Sequence, residues 1–221
     1  MEWSDYFWPG TTVLRNHLGI RDAAELERLE QHFAYSRGME LARGQAPVPE
    51  TFDAEHLRRV HRWLFQDVYP FAGEFREVEV SKWSSFASTD NIAACIDRAA
   101  AIVAETSWPD LDDAQFADKA AQTYCWINYA HPFREGNGRA TRAFMNAVAA
   151  QAGRGLDYSA IPREVFVQRA AFSCPDMSQT EPTHEWMVPV FEQISRPASD
   201  LSAPTEFLPP KSQSQGYDRG L

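Results

Sequence analysis

Residues 131–142 read HPFREGNGRATR and bring together, in one short stretch, groups that rarely serve a protein core. His131 is the side chain there whose ordinary pKa lets it accept a proton near neutrality. Glu135 is a hard oxygen donor, of the kind magnesium takes when it bridges two phosphate groups. Arg139 and Arg142 are permanent cations spaced to share one face of a helix. Gly136 and Gly138 flank Asn137, and a glycine, lacking a β-carbon, lets an anion come close to the backbone. If a helix starts near Gly138, its first N–H groups are open and carry partial positive charge. Amides and two guanidinium groups at one helix start suit a polyphosphate better than a single carboxylate. A histidine just before them could deprotonate a hydroxyl that attacks the held phosphate. Each feature has a plainer reading: a helix-end histidine as a cap, Gly-Asn-Gly as a turn, paired arginines as a solvated face. Their coincidence at one loop-to-helix junction favours an anion site. Phe133, among polar neighbours, is expected to anchor the loop in the core.

The rest of the composition sharpens that expectation. The chain has 221 residues, 44% of them hydrophobic, enough for one domain with a real core. Its net charge of −10 argues against general nucleic-acid binding, so a basic site must be local. Cys95, Cys125 and Cys174 are odd in number and far apart, which suggests neither a disulfide framework nor a zinc site. The opening MEWSDYFWPG has no basic-then-apolar leader pattern. No run of about eighteen apolar residues could span a membrane. A reducing cytoplasm is the expected location.

The elements that must position these groups read as helices. Asp22 and Asp53 stand as N-caps before helical patterns, the first carrying Leu26, Leu29, Phe33 and Ala34, the second Leu57, Val60, Leu64, Phe65 and Val68. Further helices are expected at 89–106, 112–130, from the motif to a stop at Gly153, at 162–173 and at 182–195. The stretch EFREVEVSKWSSFAS shifts to a shorter period and is expected to form a small β-hairpin. Pro9-Gly10 marks a turn in an N-terminal extension over 1–21. The pattern predicts an all-α domain over 1–196 with one hairpin, followed by a polar, proline- and serine-rich tail over 197–221.

At this point the residues carry a resemblance. HPFREGNGR matches in full the signature HxFx(D/E)GN(G/K)R of the Fic domain, and Arg142 supplies the further arginine of the GNGRxxR form. YFWPGTTVLRNHLGI, LFQDVYPFAGEFREV and INYAHPFREGNGR resemble segments of the cell-filamentation Fic toxins and of Fic domains on conjugation-system effectors. The likeness covers roughly residues 6 to 195. It implies the Fic fold, a helical bundle with a hairpin flap, and a bacterial protein adenylyltransferase that uses ATP and Mg2+ to place AMP on a hydroxyl side chain. In that reading His131 is the general base and Glu135 the metal ligand. Gly136, Asn137 and Gly138 cradle the phosphates, Arg139 holds them, and Arg142 grips the γ-phosphate. The strand pair around Val78 to Phe86 becomes a flap that binds target by β-augmentation. Lys82 and Trp83, at its tip, line the nucleotide or target path.

Self-restrained members of the family carry a helix with (S/T)xxxE(G/N). Here Ser36-x3-Glu40 is followed by Leu41, Thr51-x3-Glu55 by His56, and Ser202-x3-Glu206 by Phe207, so none completes the pattern. The resemblance then implies a toxin held inactive by a separate small antitoxin, with DNA gyrase or topoisomerase subunits as suggested targets. Two other readings keep the fold. One uses a different phosphate-containing donor; both glycines argue against its kinase-type form, since kinase-type relatives have Ala in place of Gly136 and Lys in place of Gly138. The other is a catalytically silent peptide-binding module.

Overall fold

The computed structural model describes residues 2–80, 86–175 and 180–201. Seven α-helices among these residues build the domain: α1 (Ala23–Ala42), α2 (Ala54–Phe65), α3 (Ile92–Glu105), α4 (Asp113–Ala130), α5 (Asn137–Gln151), α6 (Arg163–Phe172) and α7 (Val188–Ile194). Their starts follow local chemistry. Asp22, Asp53 and Asp112 each accept a hydrogen bond from the third residue of their helix, and Asp112 forms a full capping box with Gln115. The α5 helix runs to Gln151, and Gly153 follows it at φ 66, a left-handed conformation that costs glycine nothing.

Helix α4 is the axis of the bundle. Phe116, Ala120, Tyr124, Ile127 and Ala130 are buried, and α3, α5 and α7 pack around it. Small residues (Ala117, Ala120, Ala121) let the neighbouring helices approach closely, while Phe116, Met145 and Phe191 fill the space between them. Helix α2 lies against both α1 and α5 and buries Leu57, Val60, Leu64 and Phe65. Its buried row also includes His56 and His61. On α1 the buried row is Leu26, Glu30, Ala34 and Gly38, a spacing of four, with Leu29 and Phe33 only half-buried. A carboxylate thus sits in a row expected to be apolar.

Among the described residues the paired β-structure lies outside the stretch where the sequence pattern predicts a hairpin. An antiparallel pair joins β1 (Arg154–Leu156) to β2 (Ser195–Pro197), with Gly155 opposite Arg196. This pair ties the residues after α5 to those after α7. Residues 75–80 and Phe86 of the expected hairpin are not strand, and residues 81–85, with Lys82 and Trp83, lie outside the described residues. Among the described residues, backbone N–H groups on both flanks of this segment bond to α4's end. The Arg76 N–H donates to the Pro132 carbonyl at 2.8 Å, and the Ala87 N–H to the Tyr129 carbonyl at 2.9 Å. At the C-terminal side, β2 and the turn Ala198–Asp200 carry ordered backbone past the boundary expected at 196, and residues 202–221 lie outside the description. No helix among the described residues is long and apolar enough to cross a membrane.

Candidate active site

The motif occupies the junction between α4 and α5. Pro132 disfavours helical backbone at the residue before it, so α4 ends at His131. His131 takes φ 39 and ψ 57, the left-handed region that a β-carbon penalises. Such a conformation persists only where the surroundings enforce it. The His131 N–H donates to the Ile127 carbonyl at 3.1 Å, its carbonyl accepts from Arg76 Nε at 2.9 Å, and its ring stacks on Phe86 at 3.8 Å.

Two internal devices shape the loop that follows. Asn137 is buried and closes a ring with Phe133: its Oδ1 accepts the Phe133 N–H at 2.8 Å and its Nδ2 donates to the Phe133 carbonyl at 2.7 Å. The Asn137 amide is thus anchored to the loop at both its oxygen and its nitrogen. Phe133 is buried as expected, stacked on His61 at 3.8 Å. His61 is the second device. Its Nδ1 accepts the Gly73 N–H at 2.8 Å, which leaves the proton on Nε2 to be donated to the Glu135 carbonyl at 2.9 Å. Burial pushes the His61 pKa down to about 3, helped by the charge on Arg139 and opposed by the bond to Glu135. It is a neutral strut near neutral pH.

Gly136 then turns the chain into α5 at φ 79. A β-carbon there would lie 2.4 Å from the Phe65 ring, so both the backbone angle and the packing demand glycine. Gly138 differs: nothing lies within 4 Å of where its β-carbon would stand. Its bareness leaves room on the outside of the helix start. No side chain caps α5. The N–H groups of Arg139 and Ala140 bond the Gly136 carbonyl, leaving those of Asn137 and Gly138 at the open end of the helix. That end is a ready anion site.

Glu135 is partly exposed; its Oε1 accepts the Gly136 N–H at 2.9 Å and stands 3.9 Å from Arg139 Nη2. Among the described residues no group of three His, Cys, Asp or Glu side chains could hold a metal. A single hard carboxylate fits a magnesium ion held mainly by phosphate oxygens and water, and does not fit a metal caged by protein alone. Arg139 lies 4.7 Å over the Phe65 ring and pairs with Glu30 of α1, whose carboxylate also accepts the Tyr69 hydroxyl. Burial, then the nearby Glu30 charge, raises the Tyr69 pKa, so its hydroxyl stays a donor. Arg142 sits 5.7 Å over the Tyr158 ring. The two motif arginines are thus steered by different neighbours, although one helix carries both. Arg134, within the motif but given no role from sequence, is stacked over Trp3 at 4.4 Å and Phe7 at 5.2 Å and ties the N-terminal segment to the loop.

Sequence reasoning passed over Glu30, His61 and Arg76. A signal existed for two of them. Glu30 falls four residues after Leu26 and four before Ala34, and His61 four after Leu57 and four before Phe65, each in line with buried apolar residues. Nothing in the local pattern marks Arg76.

Comparison with known proteins places this geometry among relatives. The model of the Fic/DOC family matches residues 51–149. Protein adenylyltransferase VbhT of Bartonella schoenbuchensis is 37% identical over 163 residues, 72% of this chain and 33% of that protein. The probable protein adenylyltransferase Fic of Escherichia coli K12 is 32% identical over 167 residues, 74% of this chain and 80% of that protein. The chain therefore spans about a third of the first relative and most of the second. The crystal structure of BepC, a VirB-translocated effector of Bartonella tribocorum with bound AMPPNP, superposes with a TM-score of 0.75 at 26% identity, covering 88% of this chain and 97% of that one.

Proposed function

The chain belongs to the Fic/DOC family, and from that premise we propose that it is a protein adenylyltransferase, moving AMP from ATP to a hydroxyl side chain of another protein. The observation that carries the reading is the α4–α5 junction. A histidine in the left-handed region there comes six residues before a helix start that no side chain caps, with Glu135 just before that start and Arg139, 3.9 Å from it, in the first turn. Relatives named protein adenylyltransferases, and a relative holding AMPPNP, support the choice of AMP and of ATP.

In this mechanism the open amides of Asn137 and Gly138 and the guanidinium groups of Arg139 and Arg142 bind the triphosphate, with Arg142 on the γ-phosphate. Glu135 would hold Mg2+, which supplies positive charge to the phosphate oxygens. His131 takes the proton from the target hydroxyl. The hydroxyl oxygen forms a bond to the α-phosphorus, the bond to the bridging oxygen breaks, and pyrophosphate leaves with the electron pair. Fixing the γ-phosphate aims the α-phosphorus at the incoming oxygen. Incubation with a bacterial lysate and ATP labelled at either end tests this. Label from the α position on a protein supports AMP transfer. Label from the γ position means phosphate transfer, and none from either means a binding module.

The lack of a complete (S/T)xxxE(G/N) segment supports a toxin restrained in trans by a small antitoxin in the bacterial cytoplasm. DNA gyrase and topoisomerase subunits are the first targets to assay. Lys82 and Trp83 contact nucleotide or target in this reading.

A further inference from the structure

Arg76 is a buried arginine outside the motif, and its donors converge on the end of α4. Its N–H bonds the Pro132 carbonyl at 2.8 Å, its Nε the His131 carbonyl at 2.9 Å, and its Nη2 the Ala130 carbonyl at 3.3 Å. One residue thus serves three successive carbonyls. Those of a helix end lack intrahelical donors and carry partial negative charge, so a cation is favoured there. The same guanidinium reaches both chain segments flanking residues 81–85. Nη1 donates to the Val78 carbonyl at 2.9 Å, and Nη2 to the Ala87 carbonyl. The side chain is fully shielded from solvent, with Glu79 Oε2 at 3.6 Å as its nearest carboxylate. Phe86, immediately before Ala87, is the residue whose ring stacks on His131.

We propose that Arg76 is a positioning residue for the transfer step: by clamping the His131 backbone and the Phe86–Ala87 segment together, it holds the imidazole in its working orientation. This rests on the AMP-transfer reading. Lysine cannot replace it, because three protons on one nitrogen cannot span carbonyls that a planar fork reaches in several directions.

Arg76→Lys in the full chain is the test, read in two ways. The first is kinetic. The variant is expected to bind ATP as the wild type does and to keep its KM for ATP, while kcat for AMP transfer falls about a hundredfold, the scale of a misplaced reacting group. The second needs neither nucleotide nor target. In the wild type the His131 ring protons carry an NMR shift from the stacked Phe86 ring, and in Arg76→Lys that shift should be lost. A folded variant with unchanged His131 resonances and kcat overturns the proposal. If the wild type transfers no AMP, the functional reading fails by itself and the resonance comparison still decides the role of Arg76. Should the variant not fold, the wild type serves: its Arg76 Nη protons should give separate, exchange-protected signals, and one averaged, fast-exchanging signal overturns the clamp.

Discussion

At the scale of single residues, the motif divides its labour between holding a ligand and holding itself. Asn137 and Phe133 lock the loop, His61 braces it from below, and Arg134 fastens it to the N-terminal aromatics. Arg139 and Arg142 are each placed by a different aromatic ring, and Arg139 is paired with Glu30 as well. Their difference is testable. Arg142→Ala should keep nucleotide binding, since the amides and Arg139 are untouched, and should lose most AMP transfer because the α-phosphorus is no longer aimed. We expect at least about a hundredfold loss in labelled product, with affinity followed by calorimetric titration. An unchanged transfer rate would exclude the assigned role. The contrast between the glycines is equally specific. Gly136→Ala must adopt a left-handed angle and push into Phe65, at a combined cost of about 2–4 kcal/mol. Gly138→Ala meets no protein atom, so its unfolding midpoint in denaturant should match the wild type while ATP binding weakens.

At the scale of elements, α2 does more than fill space. It carries His56 and His61, both buried and both held neutral: burial pushes His56 down to about 4 and His61 to about 3. In the unfolded chain each returns to the ordinary value near 6.5, so between about pH 6.5 and 4 the unfolded state binds protons that the folded state refuses. Stability is therefore greatest above pH 6.5 and falls as the pH drops through that window. Each histidine contributes up to about 1.4 kcal/mol per pH unit. Urea unfolding at pH 7, 6 and 5 should show the decline, and His56→Phe should reduce its slope by about half. A flat profile would mean that both histidines take up protons as readily in the folded as in the unfolded state. The other elements serve the site through their ends: α4 terminates in the general-base candidate and α5 begins in the anion cradle. Helix α1 contributes one carboxylate, Glu30, which fixes the direction of Arg139.

For the whole molecule, the antiparallel pair β1–β2 binds the residues after α5 to those after α7. The chain carries a net charge of −10, so the proposed phosphate site at the α4–α5 junction must draw on local positive groups. The lack of a complete inhibitory segment makes a cellular prediction. Expression of the chain alone in bacteria should slow growth or cause filamentation, His131→Ala should abolish the effect, and a small antitoxin bearing (S/T)xxxE(G/N) should suppress it. Harmless expression, together with a lysate that takes up no AMP, would remove the toxin reading.

What could be read from the chain alone was whatever is local. The motif's residue types, the Asp22 and Asp53 caps, the stop after α5 and the apolar rows of α2 and α4 depend on neighbours within one or two turns, and spacing reveals such neighbours. The expected hairpin around Val78 to Phe86 was drawn from the same local rule. Its centre, residues 81–85, lies outside the described residues, and its flanks at Arg76 and Ala87 bond carbonyls at α4's end. Glu30, His61 and Arg76 act across 109, 74 and 55 positions of sequence, on Arg139, Glu135 and His131 respectively. A buried polar group is tolerated only when a partner of the right geometry meets it, and no periodicity encodes which distant partner that is. Residue chemistry thus announced the site, while tertiary packing decided which side chains hold its parts in register.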